Sequence, residues 1–433
     1  SLFLCGGRVL ERSFLEFLCH DNGNVLKFYS GVSGINLSYK MKIIFLHRVW
    51  PAYGGGETVT VCLANEMIKR GFKVHVAYLK DSPEGKSRPY IDNHLICHRI
   101  ENVRFDEFGS DFFVDKKEAA YVSSELVKII GLKGIDIIHN QWWPAEFLEG
   151  VHEHTQAKVV KVLHMDVDIR RAFDFSGWKG RCFKLFYPLY RKMERYKNIR
   201  RADKYYKSSD KFVFLAPCFM EDYKRLTGLN VDENRLDFVF NPLVFSEYIT
   251  EEERAEKRNT VLVVGRLSER HKKFTRVIEL WRSIEADAAF DDWNLKMVGD
   301  GEDFGLYRNM IAQYGLKRIS MEGFRCPLPY YKEARIFLMT SAYEGFPMTL
   351  LEAQQQGVVC VAMDTYESLH YILNDGENGD IVPDTGMLEK KVKQLMNDPA
   401  LLKRYADKGL QTCRRFDVEA VVDKWETLYK GLI

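Results

Sequence analysis

The stretch "MKIIFLHRVWPAYGGGETVTVCLANEMIKRGFKVHVAYL", residues 41–79, decides the fold class. It opens with the apolar run "MKIIFLHRV", which is typical of a strand buried on both faces of a parallel sheet. A glycine turn follows, and then a helix whose apolar face carries Val59, Leu63 and Met67. Gly71 ends this helix before a second apolar strand. Strand, glycine turn, helix and strand in this order predict one βαβ unit of a doubly wound sheet.

The same alternation recurs along the rest of the chain. Further strands are predicted at "GIDIIHN" (134–140), "AKVVKVLHM" (157–165) and "KFVFLA" (211–216). The Pro-containing, charge-rich stretch at residues 240–259 interrupts the pattern and predicts an interdomain linker. The pattern then restarts, with strands predicted at "TVLVVGRLS" (260–268), "WNLKMVGDGED" (293–303), "KRISMEGF" (317–324), "ARIFLMTS" (334–341) and "GVVCVAMD" (357–364). We therefore expect an α/β protein with two Rossmann-like, doubly wound domains facing across a cleft, where the carboxyl ends of the strands bind ligands.

Length and composition agree with two globular domains. A chain of 433 residues exceeds the size at which one core stops growing, about 250 to 300 residues. We predict an extension outside the core at residues 1–40, a first domain at 41–245 and a second domain at 246–416. Residues 417–433 are predicted to form a C-terminal helix, with Val421, Val422 and Trp425 on its apolar face.

Charge, cysteine and hydropathy patterns narrow the class of protein. Lys and Arg number 63 against 61 Asp and Glu, so the net charge of +2 gives no reason to expect nucleic acid as a partner. The nine cysteines stand singly, which is typical of reduced thiols in a cytoplasmic protein and disfavours a zinc site. No apolar run approaches the roughly 18 residues that a membrane-spanning helix needs.

The loop "VVGRLSERHKKF", residues 263–274, is a candidate diphosphate site in the second domain. Gly265 ends the preceding strand, and Arg266 and Lys272 follow on a loop that opens toward the predicted cleft. A forked guanidinium and an ammonium together suit a diphosphate. His271 and Lys273 are rival choices for the second cation, and a solvated charged loop is the alternative interpretation.

The stretch "SAYEGFPMTLLEAQQQG", residues 341–357, combines a turn, a helix start and two acids. Gly345 and Pro347 predict a turn, after which Thr349 begins a helix whose free N–H groups form an anion site. Glu344 and Glu352 flank these amides, and each carboxylate can accept hydrogen bonds from sugar hydroxyls. The pair is therefore predicted to span a nucleotide sugar rather than to act as an acid/base pair.

Several weaker candidates also lie at predicted strand ends. Gly299 belongs to a Gly-Asp-Gly turn, and Phe324 could face a base. In "YGGGET", Gly55 and Gly56 allow the backbone to approach a phosphate or sugar closely, with a simple tight turn as the alternative. His164 ends a strand on the cleft side, where catalytic and structural roles are both open. We interpret the "DVD" triplet at residues 166–168 as a chance match and predict no metal site.

The segment at residues 179–207 interleaves aromatic and basic residues. It contains eleven Lys and Arg and two acids, a net charge of 11 − 2 = +9. An anionic membrane surface and a solvated helix of the first domain fit this pattern equally well, and nucleic acid is a third alternative. The membrane interpretation predicts a cytoplasmic protein held at the inner face of a membrane.

Taken together, "GGGE", the strand-end histidine, "GRLS…K", "VGDGE" and "EGFPMTLLEAQQQG" resemble the motifs of the retaining glycosyltransferases of family 4, which have the GT-B fold. The resemblance implies that Arg266 and Lys272 hold the donor diphosphate, that Glu344 faces the donor sugar and that Glu352 binds the nucleotide ribose. It also implies that His164 lies near the transferred sugar and that the last helix crosses back to the first domain. The resemblance further implies that the phosphate and sugar lie against the backbone of Gly345, Phe346, Pro347, Met348, Thr349 and Leu350. Proline has no N–H, so the other residues of this run supply the hydrogen-bond donors. The lysine stands one residue later than in many members of the family, which leaves the choice between Lys272 and Lys273 open.

The resemblance implies a metal-independent reaction without a cofactor. The predicted activity is retaining transfer of a hexose from a nucleotide-diphosphate sugar to a hydroxyl acceptor, a lipid-linked glycan in surface polysaccharide synthesis. A nucleotide-sugar epimerase of the same fold and a non-catalytic nucleotide-sugar-binding protein are the alternatives. An NAD-dependent enzyme is disfavoured because the G-x-G-x-x-G fingerprint is missing.

Overall fold

The structure is a computed structural model that forms two compact units, residues 1–39 and 40–433. In the first unit two short strands, β1 (Leu4–Cys5) and β2 (Arg8–Val9), pair antiparallel. All further description concerns the second unit. The structure describes residues 4–5, 8–9, 40–51, 54–82, 90–103, 115–164, 177–228 and 231–433, with the backbone alone at 177–183 and 185.

A parallel sheet of seven strands forms the first domain, in the order β5-β4-β3-β6-β7-β8-β9. Its strands are β3 (Lys42–Trp50), β4 (Lys73–Asp81), β5 (Ile96–Arg99), β6 (Ile137–Asn140), β7 (Lys158–Leu163), β8 (Lys211–Phe214) and β9 (Leu236–Phe238). The helices described between them are α1 (Gly55–Lys69), α2 (Lys116–Lys133), α3 (Val151–His154), α4 (Gly177–Lys207) and α5 (Pro217–Thr227). Short 3₁₀ turns lie at Ala145–Leu148 and Glu233–Arg235.

The second domain is built on a parallel sheet of six strands, in the order β12-β11-β10-β13-β14-β15. Its strands are β10 (Thr260–Val264), β11 (Asn294–Val298), β12 (Ile319–Gly323), β13 (Ile336–Met339), β14 (Val359–Met363) and β15 (Gly379–Val382). Its helices are α6 (Glu251–Ala255), α7 (Thr275–Glu285), α8 (Phe304–Tyr314), α9 (Leu328–Glu333), α10 (Met348–Gln355), α11 (Thr385–Asn397) and α12 (Pro399–Cys413), and α13 (Val418–Lys430) ends the chain. Further 3₁₀ turns lie at Ala288–Phe290, Glu367–Tyr371 and Arg414–Phe416.

The predicted fold class is confirmed, because both sheets are parallel and α-helices connect most of their successive strands in the described part of the chain. Strand β3 shows why the apolar runs were informative, since Ile43, Ile44, Phe45 and Leu46 are all fully buried. A strand covered by helices on both faces must be apolar at successive positions, not at alternate ones.

Strand order reverses once in each sheet, and this positions the ligand sites. In the first sheet the reversal lies between β3 and β6, and in the second it lies between β10 and β13. The loops that follow two such neighbouring strands leave toward opposite faces of the sheet and open a crevice at its carboxyl edge. These two crevices are the places where each domain is expected to bind a ligand.

Two chain segments cross between the domains and contact each other. The first crossing segment, residues 239–250, joins β9 to α6, and the second, residues 414–417, joins α12 to α13. The Leu243 N–H donates to the Phe416 carbonyl at 2.7 Å, which ties the two segments together. The two connections between the domains therefore lie side by side.

The last helix, α13, packs against the first sheet and its helix α1. Trp425 lies 4.7 Å from the His139 ring on β6, centroid to centroid. Arg70 at the end of α1 donates to the Glu419 carbonyl at 2.9 Å and pairs with Asp423 at 2.5 Å. The C-terminal residues thus complete the first domain although the chain has already built the second.

Candidate active site

The carboxyl edge of the second sheet brings the strongest sequence candidates together. The loop after β10 carries Arg266 and Lys272, and the loop after β13 carries Glu344. Strands β10 and β13 are neighbours at the point where the strand order reverses. Residues 78 positions apart in sequence, 344 − 266 = 78, therefore lie at one crevice.

A buried ion pair joins the two loops. Lys272 Nζ donates to Glu344 Oε1 at 2.6 Å, and each side chain is only 12% exposed. Burial by itself raises the pKa of the Glu344 carboxyl, but the charge of Lys272 and the contacts with His271 outweigh burial and lower that pKa to about 2. Glu344 is therefore an ionised acceptor at neutral pH.

The loop conformation distinguishes the rival cations of this segment. Lys273 adopts a left-handed backbone conformation with φ of 56°, and Lys272 is the lysine that reaches Glu344. The Thr340 hydroxyl at the end of β13 donates to the Lys272 carbonyl at 2.8 Å and fixes the loop against the sheet. His271 stacks on Tyr343 at 4.4 Å and lies 3.5 Å from Glu344 Oε1, so it also contacts the site.

Arg266 is positioned differently from Lys272. Its side chain is 71% exposed, and its Nε donates to Glu302 at 3.0 Å. An exposed pair of this kind contributes about 0 to 1 kcal/mol. Arg266 can therefore exchange Glu302 for another anion at low cost.

The glycines of this edge have a clear packing role. A Cβ on Gly299, whose φ is +145°, would lie 1.8 Å from the Gly265 carbonyl oxygen. A Cβ on Gly301 would lie 2.5 Å from the Leu267 carbonyl oxygen. These contacts show that the "VGDGE" glycines let the loops after β10 and β11 pack backbone against backbone.

Phe324, the aromatic candidate of the sequence analysis, follows directly after β12. Its side chain is 40% exposed.

Helix α10 presents its amino end at the same crevice. The helix begins at Met348, one residue before the predicted Thr349. Pro347 is the N-cap residue, and its side chain makes no capping hydrogen bond. The first amides of a helix lack intrahelical partners and favour an anion. The side chains of Phe346 and Leu350 are buried at 6% and 0% exposure. The Leu350 N–H donates to the Pro347 carbonyl at 3.1 Å, so the amides before Leu350 are the ones that remain for an anion.

Glu352 lies farther along α10 in a different environment from Glu344. Tyr331 donates to its Oε2 at 2.9 Å, yet burial raises the pKa of Glu352 to about 7. Burial raises the pKa of Cys62 to about 12, and the Glu352 charge adds to this rise, which places the carboxylate near helix α1 of the first domain. The pKa of Glu344 is thus lowered and that of Glu352 is raised, although the two acids are only eight residues apart.

The carboxyl edge of the first sheet carries a tryptophan that the sequence analysis missed. Trp142, just after β6, stacks on His164 with ring centroids 4.5 Å apart. A Cβ on Gly56 would lie 2.3 Å from the Trp142 ring, whereas nothing lies within 4 Å of one on Gly55. Burial, with a contribution from Lys161, lowers the pKa of His164 to about 3, so the imidazole is neutral. The "NQWW" run directly after a predicted strand was the available signal.

A buried hydrogen-bonded chain behind this edge was also missed. Thr60 donates to Gln141 Oε1 at 2.8 Å and lies 3.0 Å from His47 Nε2, which must therefore carry the ring proton. The Gln141 amide nitrogen lies 3.4 Å from His139 Nε2, so His139 donates from Nδ1 to the Tyr429 hydroxyl at 2.6 Å. Burial lowers the pKa of both histidines, which keeps this chain neutral.

The basic segment forms helix α4, and part of its surface is apolar. Phe186, Leu189, Met193 and Tyr196 are 66%, 61%, 53% and 58% exposed and recur every three or four residues, which places them on one face. We call these four residues the α4 stripe. The buried side chains Asn198, Ala202 and Tyr205 lie on the opposite side of the helix. In the described ranges no helix combines the length and hydropathy required to cross a bilayer. The "DVD" triplet lies outside the described residues.

Comparison with known proteins identifies the class of protein. The family model described as Glycosyltransferase Family 4 matches residues 53–243, and the one described as Glycosyl transferases group 1 matches residues 244–412. The chain belongs to the group 1 glycosyltransferases, which have the GT-B fold. The predicted family is thereby confirmed.

The two relatives described next share less than 30% sequence identity with the chain. The chain is 29% identical over 178 residues to the amylovoran biosynthesis glycosyltransferase AmsD of Erwinia amylovora, covering 40% of this chain and 49% of that protein. It is 23% identical over 193 residues to an α-1,4-N-acetyl-D-galactosaminyltransferase of Campylobacter jejuni whose name specifies a PP-undecaprenol-linked glycan, covering 44% and 53%. The matches therefore span about half the length of these two relatives. The crystal structure of HepE from Anabaena with UDP and glucose superposes with a TM-score of 0.66 at 16% identity, over 90% of this chain and all of that one.

Proposed function

We propose that this protein transfers a hexose, with retention of configuration, from a nucleotide-diphosphate sugar to a hydroxyl group of a glycan acceptor. One observation carries the proposal: the buried Lys272–Glu344 pair, 2.6 Å apart, stands at the strand-order reversal beside the free amino end of α10. An ammonium, helix amides and an ionised carboxylate at one crevice match a donor that carries both a diphosphate and sugar hydroxyls.

The positively charged groups act on the leaving diphosphate. As the bond from the sugar to the diphosphate breaks, negative charge grows on the phosphate oxygens. Lys272 and the first amides of α10 are already fixed in place, and Arg266 joins them by exchanging Glu302 for phosphate. Donors fixed before the reaction stabilise such a developing charge without reorganisation, which makes this the largest catalytic contribution.

The two acids bind hydroxyl groups at the two ends of the donor. Glu344, ionised at neutral pH, accepts hydrogen bonds from the hexose, while Glu352 binds the ribose. Neither carboxylate acts as a nucleophile in this proposal. The acceptor hydroxyl attacks on the face from which the diphosphate leaves, which retains the configuration of the sugar. The hydroxyl proton passes to the departing diphosphate oxygen on that face. The reaction proceeds without a metal ion or a cofactor.

The first domain supplies the acceptor side. Trp142 and the neutral His164 lie at the carboxyl edge of its sheet, and Gly55 leaves open space beside them. An indole face suits the apolar face of a sugar ring, and a neutral imidazole can accept or donate a hydrogen bond. We assign the transferred hexose to the side of the cleft where His164 lies.

We further propose that the acceptor is a lipid-linked glycan in surface polysaccharide synthesis and that the protein meets it at a membrane. The name of the Campylobacter jejuni relative specifies a PP-undecaprenol-linked glycan, and the name of the Erwinia amylovora relative specifies amylovoran biosynthesis. The α4 stripe gives independent support, because its apolar side chains project away from the buried face of the helix. Exposed Lys192, Arg195 and Lys197 interleave with the stripe, and this charge favours an anionic lipid surface.

The donor proposal is tested with a panel of nucleotide sugars. Thermal shift identifies the donor that binds, and the release of free nucleotide diphosphate is then followed with and without a glycan acceptor. We expect slow release from the donor alone and faster release with an acceptor. Release of an altered nucleotide sugar without any acceptor would instead identify an epimerase, and binding without turnover would identify a non-catalytic binding protein.

The membrane proposal is tested by vesicle sedimentation. The wild type is expected to bind phosphatidylglycerol vesicles at low salt and to lose them at high salt, because each nearby cation contributes about 1 kcal/mol. Leu189→Ser with Met193→Ser should weaken this binding. Leu306→Ser is the matched control, since Leu306 is 42% exposed on α8, outside the stripe. Equal binding by the stripe variant and the control would reject the α4 stripe as the contact.

A further inference from the structure

We infer that helix α10 couples donor binding to the two segments that cross between the domains, through Phe346, Gln355 and Gln356. The inference rests on the proposed function, in which the amino end of α10 holds the donor phosphate. These three residues are positioning residues, because their side chains contact the crossing segments rather than a ligand. The feature that prompts it is the buried glutamine run "QQQ" at residues 354–356, to which the proposed reaction gives no role.

The carboxyl end of α10 is hydrogen-bonded to the first crossing segment. Gln355 Nε2 donates to the Phe245 carbonyl and Gln356 Nε2 to the Glu247 carbonyl, each at 2.9 Å. The two glutamines are 1% and 0% exposed. A buried amide that loses its partner costs about 1 to 3 kcal/mol, so these bonds hold the segment firmly to the helix.

The amino end of α10 contacts both crossing segments through one aromatic ring. Phe346, two residues before the helix, stacks on Phe240 of the first segment with centroids 5.3 Å apart and planes 25° apart. The same ring lies 5.7 Å from Phe416 of the second segment. Phe346 is 6% exposed, so its ring is enclosed by these neighbours while its backbone borders the phosphate site.

Through these contacts α10 connects the donor site with the segments that join the two domains. Eight residues of helix span about 12 Å, and both ends are fixed to the crossing segments. A donor phosphate that draws the amino end of α10 toward itself must also move Phe346 and the two glutamines. A packed interface of this kind responds by switching between discrete arrangements, so donor binding shifts the balance between open and closed domains.

The helix also offers a matched control. Gln354 is 1% exposed on the same helix, but among the described residues neither atom of its side-chain amide has a hydrogen-bond partner. Its side chain lies near Gly409 of α12, 3.5 Å from where a Cβ on that glycine would sit, and makes no hydrogen bond to either crossing segment. Replacing Gln354 with methionine keeps the length of the side chain and removes no bond.

The test is hydrogen exchange followed by mass spectrometry, with saturating UDP, GDP and ADP compared in parallel. In the wild type we expect the nucleotide that binds to slow exchange at the start of α10 and also at residues 243–249 and 414–417. In Gln355→Met with Gln356→Met, protection at the start of α10 should remain while protection of the crossing segments is lost. Gln354→Met should behave as the wild type.

Kinetics give a second readout that a merely structural role would not produce. The double glutamine variant should bind the nucleotide within about threefold of the wild type, while kcat falls about tenfold or more, which corresponds to about 1.4 kcal/mol of activation free energy. Phe346→Leu keeps the backbone amide and removes the ring contacts, so it should also lower kcat while leaving nucleotide affinity nearly unchanged. If the double glutamine variant does not fold, Phe346→Leu still tests the coupling.

The outcomes separate this inference from the proposed function. A wild type in which nucleotide protects α10 but not the crossing segments overturns the coupling and leaves the proposed function standing. Variants whose exchange and kcat match the wild type overturn it as well. A wild type in which none of the three nucleotides changes exchange at the start of α10 overturns the proposed donor site itself.

Discussion

Replacing Lys272 with methionine should destabilise the protein and abolish most of its activity. The substitution keeps the aliphatic stem and removes the charge that lies 2.6 Å from Glu344 Oε1. A pKa of about 2 instead of the ordinary 4.5 corresponds to about 3 kcal/mol of stabilisation of the ionised carboxylate in the folded protein. Because both side chains are 12% exposed, the loss should approach the roughly 3 to 5 kcal/mol found for a broken buried pair.

The sign of the pH dependence follows from these pKa values. In the wild type the folded pKa of Glu344 lies below the unfolded one, so its contribution is present above pH 4.5 and is lost as pH falls toward 2. Without Lys272 we expect burial to outweigh the remaining contacts with His271 and to move the folded pKa of Glu344 above its ordinary value. The variant then loses stability as pH rises from 4.5, because the unfolded chain ionises more readily than the folded one.

Urea unfolding followed by tryptophan fluorescence at pH 5 and pH 7 measures both effects. We expect Lys272→Met to lose about 3 kcal/mol or more at pH 7 and less at pH 5. The double variant Lys272→Met with Glu344→Gln should recover most of that loss, because it leaves no unpaired charge. A single variant as stable as the wild type at pH 7, or a double variant less stable than the single one, would refute the reasoning.

Three further predictions concern neighbouring groups. Arg266→Ala should lower sugar transfer about 100- to 1000-fold without changing the melting temperature, and near-normal turnover would reject its place at the diphosphate. Gly299→Ala should lower the melting temperature because its Cβ would meet the Gly265 carbonyl at 1.8 Å, whereas Gly55→Ala, with open space, should not; equal melting temperatures would contradict the packing role. The raised pKa of Glu352, about 7, means that stability falls as pH rises from 4.5 to 7 and then levels off. Glu352→Gln should flatten this part of the urea-unfolding profile, and an unchanged slope would assign the dependence to another group.

The sequence by itself determined the fold class and the edge of the sheet at which the site lies. Uninterrupted apolar runs are required of strands that helices cover on both faces, so the alternation of strands and helices could be predicted directly. Parallel strands then place every following loop at one edge. The loops that carry Arg266 and Glu344 could therefore be assigned to one crevice before any distance was known.

Only the tertiary structure decided which groups meet within that crevice. Lys272 and Lys273 are adjacent and chemically identical, yet Lys272 reaches Glu344 while Lys273 adopts a left-handed backbone conformation. The stacking of Trp142 on His164 likewise depends on which strands are neighbours in the sheet. Sequence spacing carries no information on such contacts, because each depends on the direction of a side chain after the sheet has formed.

Contacts between residues far apart in sequence show the same limit. His139 and Tyr429 are 290 residues apart in sequence, and the glutamines of α10 contact a segment about 110 residues earlier. Local pattern specifies helices and strands because it reflects the burial period of each element. Pairing between distant elements is selected by the packing of the whole chain, so the sequence predicted two domains and a donor site while the structure revealed what connects them.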